Sequence, residues 1–323
     1  MSGDGAPVAE QPIPESALAL AAAREAARAA RDFASADSLR EQLRAAGFLV
    51  TDTPEGPVLL PAPPFRVDER AIGDGSPLGA GARVLVAVLV EGWAADADEC
   101  VSALLACEPV DVHIVLVDLG DRDGTGEWSQ TLADSQPTRV TAVHLSASAD
   151  HWGRIHGDLI SRCASEYYGV IDPSTIVTGA SVSRLCEVLA DQRDAVAAGW
   201  RGADVDTADQ WRSVTGAEGE ADVLLSYLMV VRTEVARAVP PDPKARFYRN
   251  ADIEWCLAIR AWHQQHTGQP ARMLALGDAL PARQGRHHGY HDSDPDLRDR
   301  ESRKTYARIL QRYRGRNEIL KPR

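Results

Sequence analysis

The sequence of 323 residues predicts an α/β protein: a mostly parallel sheet with helices on both faces, preceded by a small α+β module. Three observations carry that expectation. Arg83 to Val90 is nearly continuously apolar and alternates valine with other aliphatic residues, as a strand buried on both faces requires. Val112 to Gly126, VHIVLVDLGDRDGTG, reads as a second such strand that ends in Asp118 and passes through a turn of Asp121, Asp123, Gly124 and Thr125 into a helix. Beyond them strands and amphipathic helices alternate, which is the order of a doubly wound parallel sheet.

Composition sets the outer limits. A hydrophobic content of 44% over this length supports a substantial core and excludes a chain disordered throughout. The net charge of −12 argues against a nonspecific nucleic-acid coat. Cys100, Cys107, Cys163, Cys186 and Cys256 lack C-x-x-C spacing, so they read as reduced thiols and not as a zinc knuckle or disulfide framework. There is no basic-then-apolar leader and no run of about 18 apolar residues, so neither secretion nor a transmembrane segment is expected. The expected location is cytoplasmic or peripheral to a membrane.

Taken in order, residues 1–14 are rich in glycine, proline and small residues and read as a disordered leader. Leu18, Ala22, Ala26, Ala29 and Phe33 then fall at helical spacing, Ser35 is placed to cap a second helix with Leu39 and Leu43, and Gly47 to end it. Phe48 to Thr51 and Val58 to Leu60 are short strands joined by a turn, so 15–61 forms a miniature unit. Its sequence, AREAARAARDFASADSLREQLRAAGFLVTDTPEGPVLL, resembles the small C-terminal domain of cysteinyl-tRNA synthetases. That resemblance implies contact with RNA through Arg24, Arg28, Arg31, Arg40 and Arg44, against the simpler reading of a solvated arginine face on a packing or docking appendage. Neither a HIGH-like nor a KMSKS-like motif is present, which excludes aminoacylation.

Residues 62–82, with PAPP and GDGSPLGAGA, read as a surface linker. The glycines are not a phosphate loop, because no Gly-Lys-Ser/Thr follows and they precede a strand instead of joining strand to helix. In the large domain, 83–291, the first strand exits at Glu91, Gly92 and Trp93. Asp96 to Cys107 is a helix, Glu127 to Ala133 another, and Val140 to Leu145 the third strand. Tyr167 to Ile171 is a strand ending in Asp172-Pro173-Ser174, followed by a helix at Val182 to Leu189 and a strand at Ala195 to Trp200. Gly202 to Ala221 reads as an acidic loop, Leu224 to Arg232 as a strand, and Asp294-Pro295 opens a basic C-terminal helix within 292–323.

The strand-Asp-Gly-Thr block, the approach SRCASEYYGVID and the block FYRNADIEWCLAIRAW together resemble family 2 glycosyltransferases, whose fold is GT-A. The resemblance covers about residues 83–315. It implies that Asp118 reaches the base of a nucleotide sugar and that Glu91 lies in the loop cradling the nucleoside. Asp172 and Ser174 stand where the family's Asp-x-Asp grips a divalent cation, Mg or Mn, and the diphosphate. Ser174 replaces the second carboxylate and is a poorer ligand for either ion, so metal dependence is left open. Arg154 and His156 stand near the phosphates. Asp252, at a helix start, is the base toward the acceptor hydroxyl and Glu254 its support, with Ala251 in place of the family's usual Glu. Among His287, His288 and His291, His288 is the expected metal or diphosphate contact.

The function implied is transfer of a sugar from a UDP- or GDP-linked donor to an acceptor hydroxyl. The alternative is a catalytically degenerate transferase fold serving as a binding scaffold or RNA adaptor, which Ser174 and Ala251 favour.

Overall fold

The computed structural model describes residues 13–53, 56–68, 75–120, 122–146, 151–286 and 294–322. It divides into two compact units, residues 1–66 and 67–323. The expected leader falls almost wholly outside the described residues.

In the first unit, α1 (Glu15–Ala29) and α2 (Phe33–Ala45) precede an antiparallel hairpin of β1 (Phe48–Thr53) and β2 (Gly56–Pro61). The buried stripe of α1 is Ala17, Ala21 and Arg24, not the expected stripe of Leu18, Ala22, Ala26, Ala29 and Phe33; Leu18 is 52% and Phe33 61% exposed. The reason is an ion pair. Arg24 gives two hydrogen bonds to Asp52 on β1, at 2.7 and 3.0 Å, and a guanidinium so satisfied can lie beside the alanines against Leu43 and Leu59. Arg24 is thereby withdrawn from the arginines expected to meet RNA. Asp32, not Ser35, caps α2, its carboxylate accepting the Ser35 backbone N–H at 3.1 Å.

The second unit holds the large sheet. Its elements are β3 (Val67–Asp68), β4 (Val84–Val90), α3 (Ala94–Cys107), β5 (Val112–Leu119), α4 (Thr125–Ser135), β6 (Val140–Leu145), α5 (Trp152–Arg162), β7 (Tyr167–Ile171), β8 (Thr175–Val177), α6 (Ser181–Asp191) and β9 (Ala195–Gly199). There follow β10 (Gly202–Val205), β11 (Val214–Ala217), β12 (Gly219–Glu220), β13 (Val223–Leu224), β14 (Leu228–Arg232), α7 (Thr233–Ala238), α8 (Ala251–Thr267), β15 (Arg272–Ala275), β16 (Ala282–Gln284) and α9 (Pro295–Tyr313). Nine strands pair in the order β12-β15-β9-β14-β7-β4-β5-β6-β3. Those from β7 to β3 are parallel, while β14 runs antiparallel to both its neighbours.

Strand β4 shows why the sequence reads as it does. Leu85 and Ala87 face one core, shared with Ile155 and Leu159 of α5, Leu257 of α8 and Ile309 of α9. Val84, Val86, Val88 and Val90 face the other, with Val101 and Leu104 of α3 and Leu185 and Leu189 of α6. Both faces are covered, so the strand alternates between two apolar layers and carries no polar residue.

Two stretches differ from expectation. Val67 and Asp68, within the expected linker, extend the sheet edge in register with His144 and Leu145, and buried Leu78 bridges to Cys163. Gly202 to Ala221 is not an open loop: β10 pairs with β11 and β13. Acids in and beside it satisfy backbone groups instead, Asp222 accepting the Val205 N–H at 3.0 Å and Asp204 that of Asp222 at 3.1 Å. The five cysteines are free thiols. Among the described residues no helix is long and apolar enough to cross a membrane.

Candidate active site

From β4 the chain passes to β5 on one side, and after β6 it returns to place β7 on the other. The exits of β4 and β7 therefore flank the point where the strand order diverges, which is where open α/β sheets form their binding crevice. A cleft lies there, with about 670 Å³ of atom-free space, part of it open to solvent. Glu91, Gly92 and Trp93 line it from the β4 exit, Asp172 and Ser174 from the β7 exit, and Asp96 from α3. Trp152, His156, Ser226, Tyr248 and Arg286 contribute further walls. Trp93 holds a left-handed φ of 54° directly after Gly92 at 107°. For a bulky residue this is a strained geometry, and it sits at the cleft.

Asp172 is strapped in place. Its Oδ1 accepts the Ser174 backbone N–H at 2.8 Å and also the Ser174 hydroxyl, which in turn accepts Gln284 Nε2 at 2.6 Å. Ser174, buried and engaged on both sides, acts on Asp172 and not as an open cation ligand. Among the described residues there is no group of three or more His, Cys, Asp or Glu able to hold a metal ion. Asp172 is the carboxylate that the β7 exit would offer a divalent cation, with Glu91 and Asp96 elsewhere on the cleft wall. His288, with His287 and His291, lies outside the described residues.

Asp118 ends up elsewhere. It is 1% exposed and is not among the residues lining the cleft. Thr125 donates its hydroxyl to Oδ1 at 2.7 Å, and His144 Nδ1 lies 3.3 Å from Oδ2. The Asp-to-Thr block thus ties the end of β5 to the start of α4, with β6 supplying the histidine, and the cleft wall gives no support to the expected contact of Asp118 with a base. Arg154, on α5, is half-buried and also absent from the cleft wall.

Asp252 is buried, and burial pushes its carboxyl above the usual carboxylate range against the lowering effect of its hydrogen bonds. It does not line the cleft, but Ser226 does. Ser226 gives Asp252 Oδ2 both its backbone N–H, at 2.8 Å, and its hydroxyl, at 3.1 Å. Ser226 lies just before β14, and because β14 is antiparallel its start falls at the rim where β4 and β7 end.

Glu254, expected beside Asp252, turns to other partners. Two residues apart on a helix, their side chains diverge by roughly 200° around the axis. Glu254 is 2% exposed and forms a bidentate ion pair with Arg308 of α9, at 2.7 and 2.9 Å, with Arg312 at 3.2 Å. It fastens the C-terminal helix.

The cleft therefore brings together Glu91, Asp172, Ser174 and His156, holds Asp252 one hydrogen bond behind its wall, and leaves out Asp118, Arg154 and Glu254. Sequence reasoning missed Trp152, Ser226 and Tyr248. Ser226 could be found only by knowing that β14 is antiparallel; Tyr248 falls inside the FYRN block, where no local pattern singles it out.

Residues 10–56 match the family described as the cysteinyl-tRNA ligase anticodon binding domain. Curated relatives that match short stretches of the chain include two cysteine–tRNA ligases. The cysteine–tRNA ligase of Chlamydia pneumoniae is 49% identical over 49 residues, 15% of this chain and 10% of its own length. That of Symbiobacterium thermophilum is 60% identical over 38 residues, 12% of this chain and 8% of its own length. The chain thus spans about a tenth of the curated relatives it matches. Among solved structures, the mannosyltransferase of Pyrobaculum calidifontis, in complex with GDP-Man and Mn2+, aligns with a TM-score of 0.52 at 15% identity, over 91% of this chain and 75% of its own. GalNAc-T7 with UDP, GalNAc and Mn2+ also aligns with a TM-score of 0.52, at 13% identity, over 74% of this chain and 48% of its own. These likenesses show the fold: the large sheet with its helices is of the GT-A glycosyltransferase kind.

Proposed function

We propose that the cleft binds a nucleotide-diphosphate sugar, UDP- or GDP-linked, and that the protein transfers the sugar to an acceptor hydroxyl. The observation that carries this reading is the juxtaposition at one rim: Asp172 faces the β4 exit loop across the switch point, and Asp252 stands behind Ser226 in the same cleft. The fold neighbours were solved with GDP-Man and Mn2+ or with UDP, GalNAc and Mn2+, which supports a donor of this class.

The roles follow from chemistry. Glu91 and the loop backbone at Gly92 and Trp93 border the nucleoside, and Asp172 accepts from the ribose or sits beside the diphosphate. The acceptor hydroxyl gives its proton to Ser226 Oγ as the Ser226 proton moves to Asp252 Oδ2, so the acid acts through a relay. Burial raises the proton affinity of Asp252, which suits a terminal proton acceptor. A cation is compatible with such a donor, as in the fold neighbours solved with Mn2+, and is assigned no step.

A second reading is favoured by the N-terminal match and by Ser174: a scaffold that keeps the fold and contacts RNA through the first unit. Calorimetric titration with UDP- and GDP-sugars, with and without Mn2+, tests the first reading. Binding supports it; absence of binding together with retention of tRNA at physiological salt supports the second.

A further inference from the structure

His156 brings a buried polar atom to the wall of this cleft. His156 is fully buried, yet its ring borders the cleft. Nδ1 lies 2.6 Å from the Tyr168 hydroxyl, while Nε2 meets no hydrogen-bond partner among the described residues. Buried polar groups without partners are few in folded proteins, and one beside a cavity calls for a ligand or water to complete it. With Nδ1 committed to Tyr168, Nε2 is the atom this ring has left to offer.

The surroundings define what it takes. The ring packs against Trp152, with centroids 4.3 Å apart, and edge-on to Tyr168 at 5.9 Å. Burial pushes its pKa down to about 3, so the imidazole is neutral at physiological pH. A neutral imidazole offers a single N–H or a single lone pair, depending on the tautomer, and cannot hold a phosphate by charge. Aromatic walls with one neutral hydrogen-bonding position suit a flat or C–H-rich group carrying an amide or hydroxyl. A neutral ring gives no electrostatic support to the expected place of His156 near the phosphates.

We propose that His156 Nε2 is the hydrogen-bonding contact for the uncharged moiety of the donor, a nucleobase edge or a sugar hydroxyl, seated beside Trp152. The inference rests on the reading of this cleft as a donor site. It makes His156 a determinant of which donor is chosen, with the charged groups handled by the rim.

The test is calorimetric titration of the full chain with UDP, GDP, UDP-GlcNAc and GDP-Man. The paired variant His156→Phe/Tyr168→Phe removes both hydrogen-bonding groups together and replaces them with apolar rings of similar shape, which leaves no buried orphan. His156→Gln, which retains a hydrogen-bonding group, is the second variant and keeps the test available should the first not fold. The expected result is binding about tenfold weaker for the paired variant, with partial rescue by Gln. Weakening of UDP or GDP themselves identifies the base as the moiety; weakening confined to the nucleotide sugars identifies the sugar. Wild-type affinity in the folded paired variant, or an unchanged response to every ligand when His156→Gln is the only folded variant, overturns the inference alone. If the wild-type protein binds none of the four, the donor-site reading fails and the inference falls with it.

Discussion

Ser226 and Asp252, 26 positions apart, meet through two hydrogen bonds to a single carboxylate oxygen, and only the serine reaches the cleft. The remaining oxygen of Asp252 accepts the Ile253 N–H at 2.8 Å. A carboxylate held this way keeps its position but gives up direct access to a substrate. The relay predicts a separation of kinetic effects. Ser226→Ala keeps the backbone N–H and removes only the hydroxyl, so kcat should fall about 100-fold with the donor KM unchanged, and Asp252→Asn should lose roughly 10²–10⁴-fold. Steady-state kinetics on the two variants checks this, and an equal rise in KM would point to a binding role instead.

The burial of Asp252 also has a sign in pH. Its folded carboxyl titrates above the ordinary value of 3.8, so between those two values the folded state holds a proton that the unfolded chain has lost. The contribution is fully present below 3.8 and is lost as pH rises through the raised folded value. Wild type should therefore lose stability relative to Asp252→Asn as pH climbs through that window. Chemical denaturation of both proteins across it measures the difference, and parallel curves would contradict the assignment.

Glu254 should behave as a fastener and not as part of the chemistry. Glu254→Gln leaves Arg308 facing a neutral amide in a mostly buried site and should cost about 3 kcal/mol, the lower end for breaking a buried pair. The lower end applies because the Arg312 side chain keeps 42% of its exposure. Urea unfolding gives the number. Donor affinity of the folded variant should match wild type, since Glu254 does not line the cleft.

In the first unit, Arg24→Ala removes a charge-assisted bidentate pair and the packing of a buried stem, and should cost about 2 kcal/mol of local stability. The pair holds the Asp52 carboxyl below its ordinary 3.8, chiefly through the Arg24 hydrogen bonds. That contribution is present above 3.8 and is lost as pH falls through the depressed value. Hydrogen exchange of residues 13–66 in the full chain should show faster opening in Arg24→Ala at neutral pH and a smaller difference in acid, where only the packing of the stem still counts.

These cases also show how far the sequence reaches. Val84–Val90 could be read because a strand covered on both faces carries no competing polar signal, and Asp172 because it ends another such strand. The stripe of α1 could not, since Arg24 counts as surface until its partner Asp52, 28 positions away, is known. Strands β10 to β12 are short and partly exposed, and their acids resemble those of a loop until Asp204 and Asp222 are seen to hold backbone N–H groups. Asp118 was correctly seen at a strand end. That it turns toward Thr125 and His144 depends on the register of β5 against β6, which periodicity does not encode.

The most direct test is a crystal structure of the protein with UDP or GDP bound. The account predicts the nucleotide over the carboxyl ends of β4 and β7, between the Glu91–Trp93 loop and Asp172, with the diphosphate pointing toward Ser226. A nucleotide seated away from that rim, or a cleft that stays empty at saturating ligand, would contradict it.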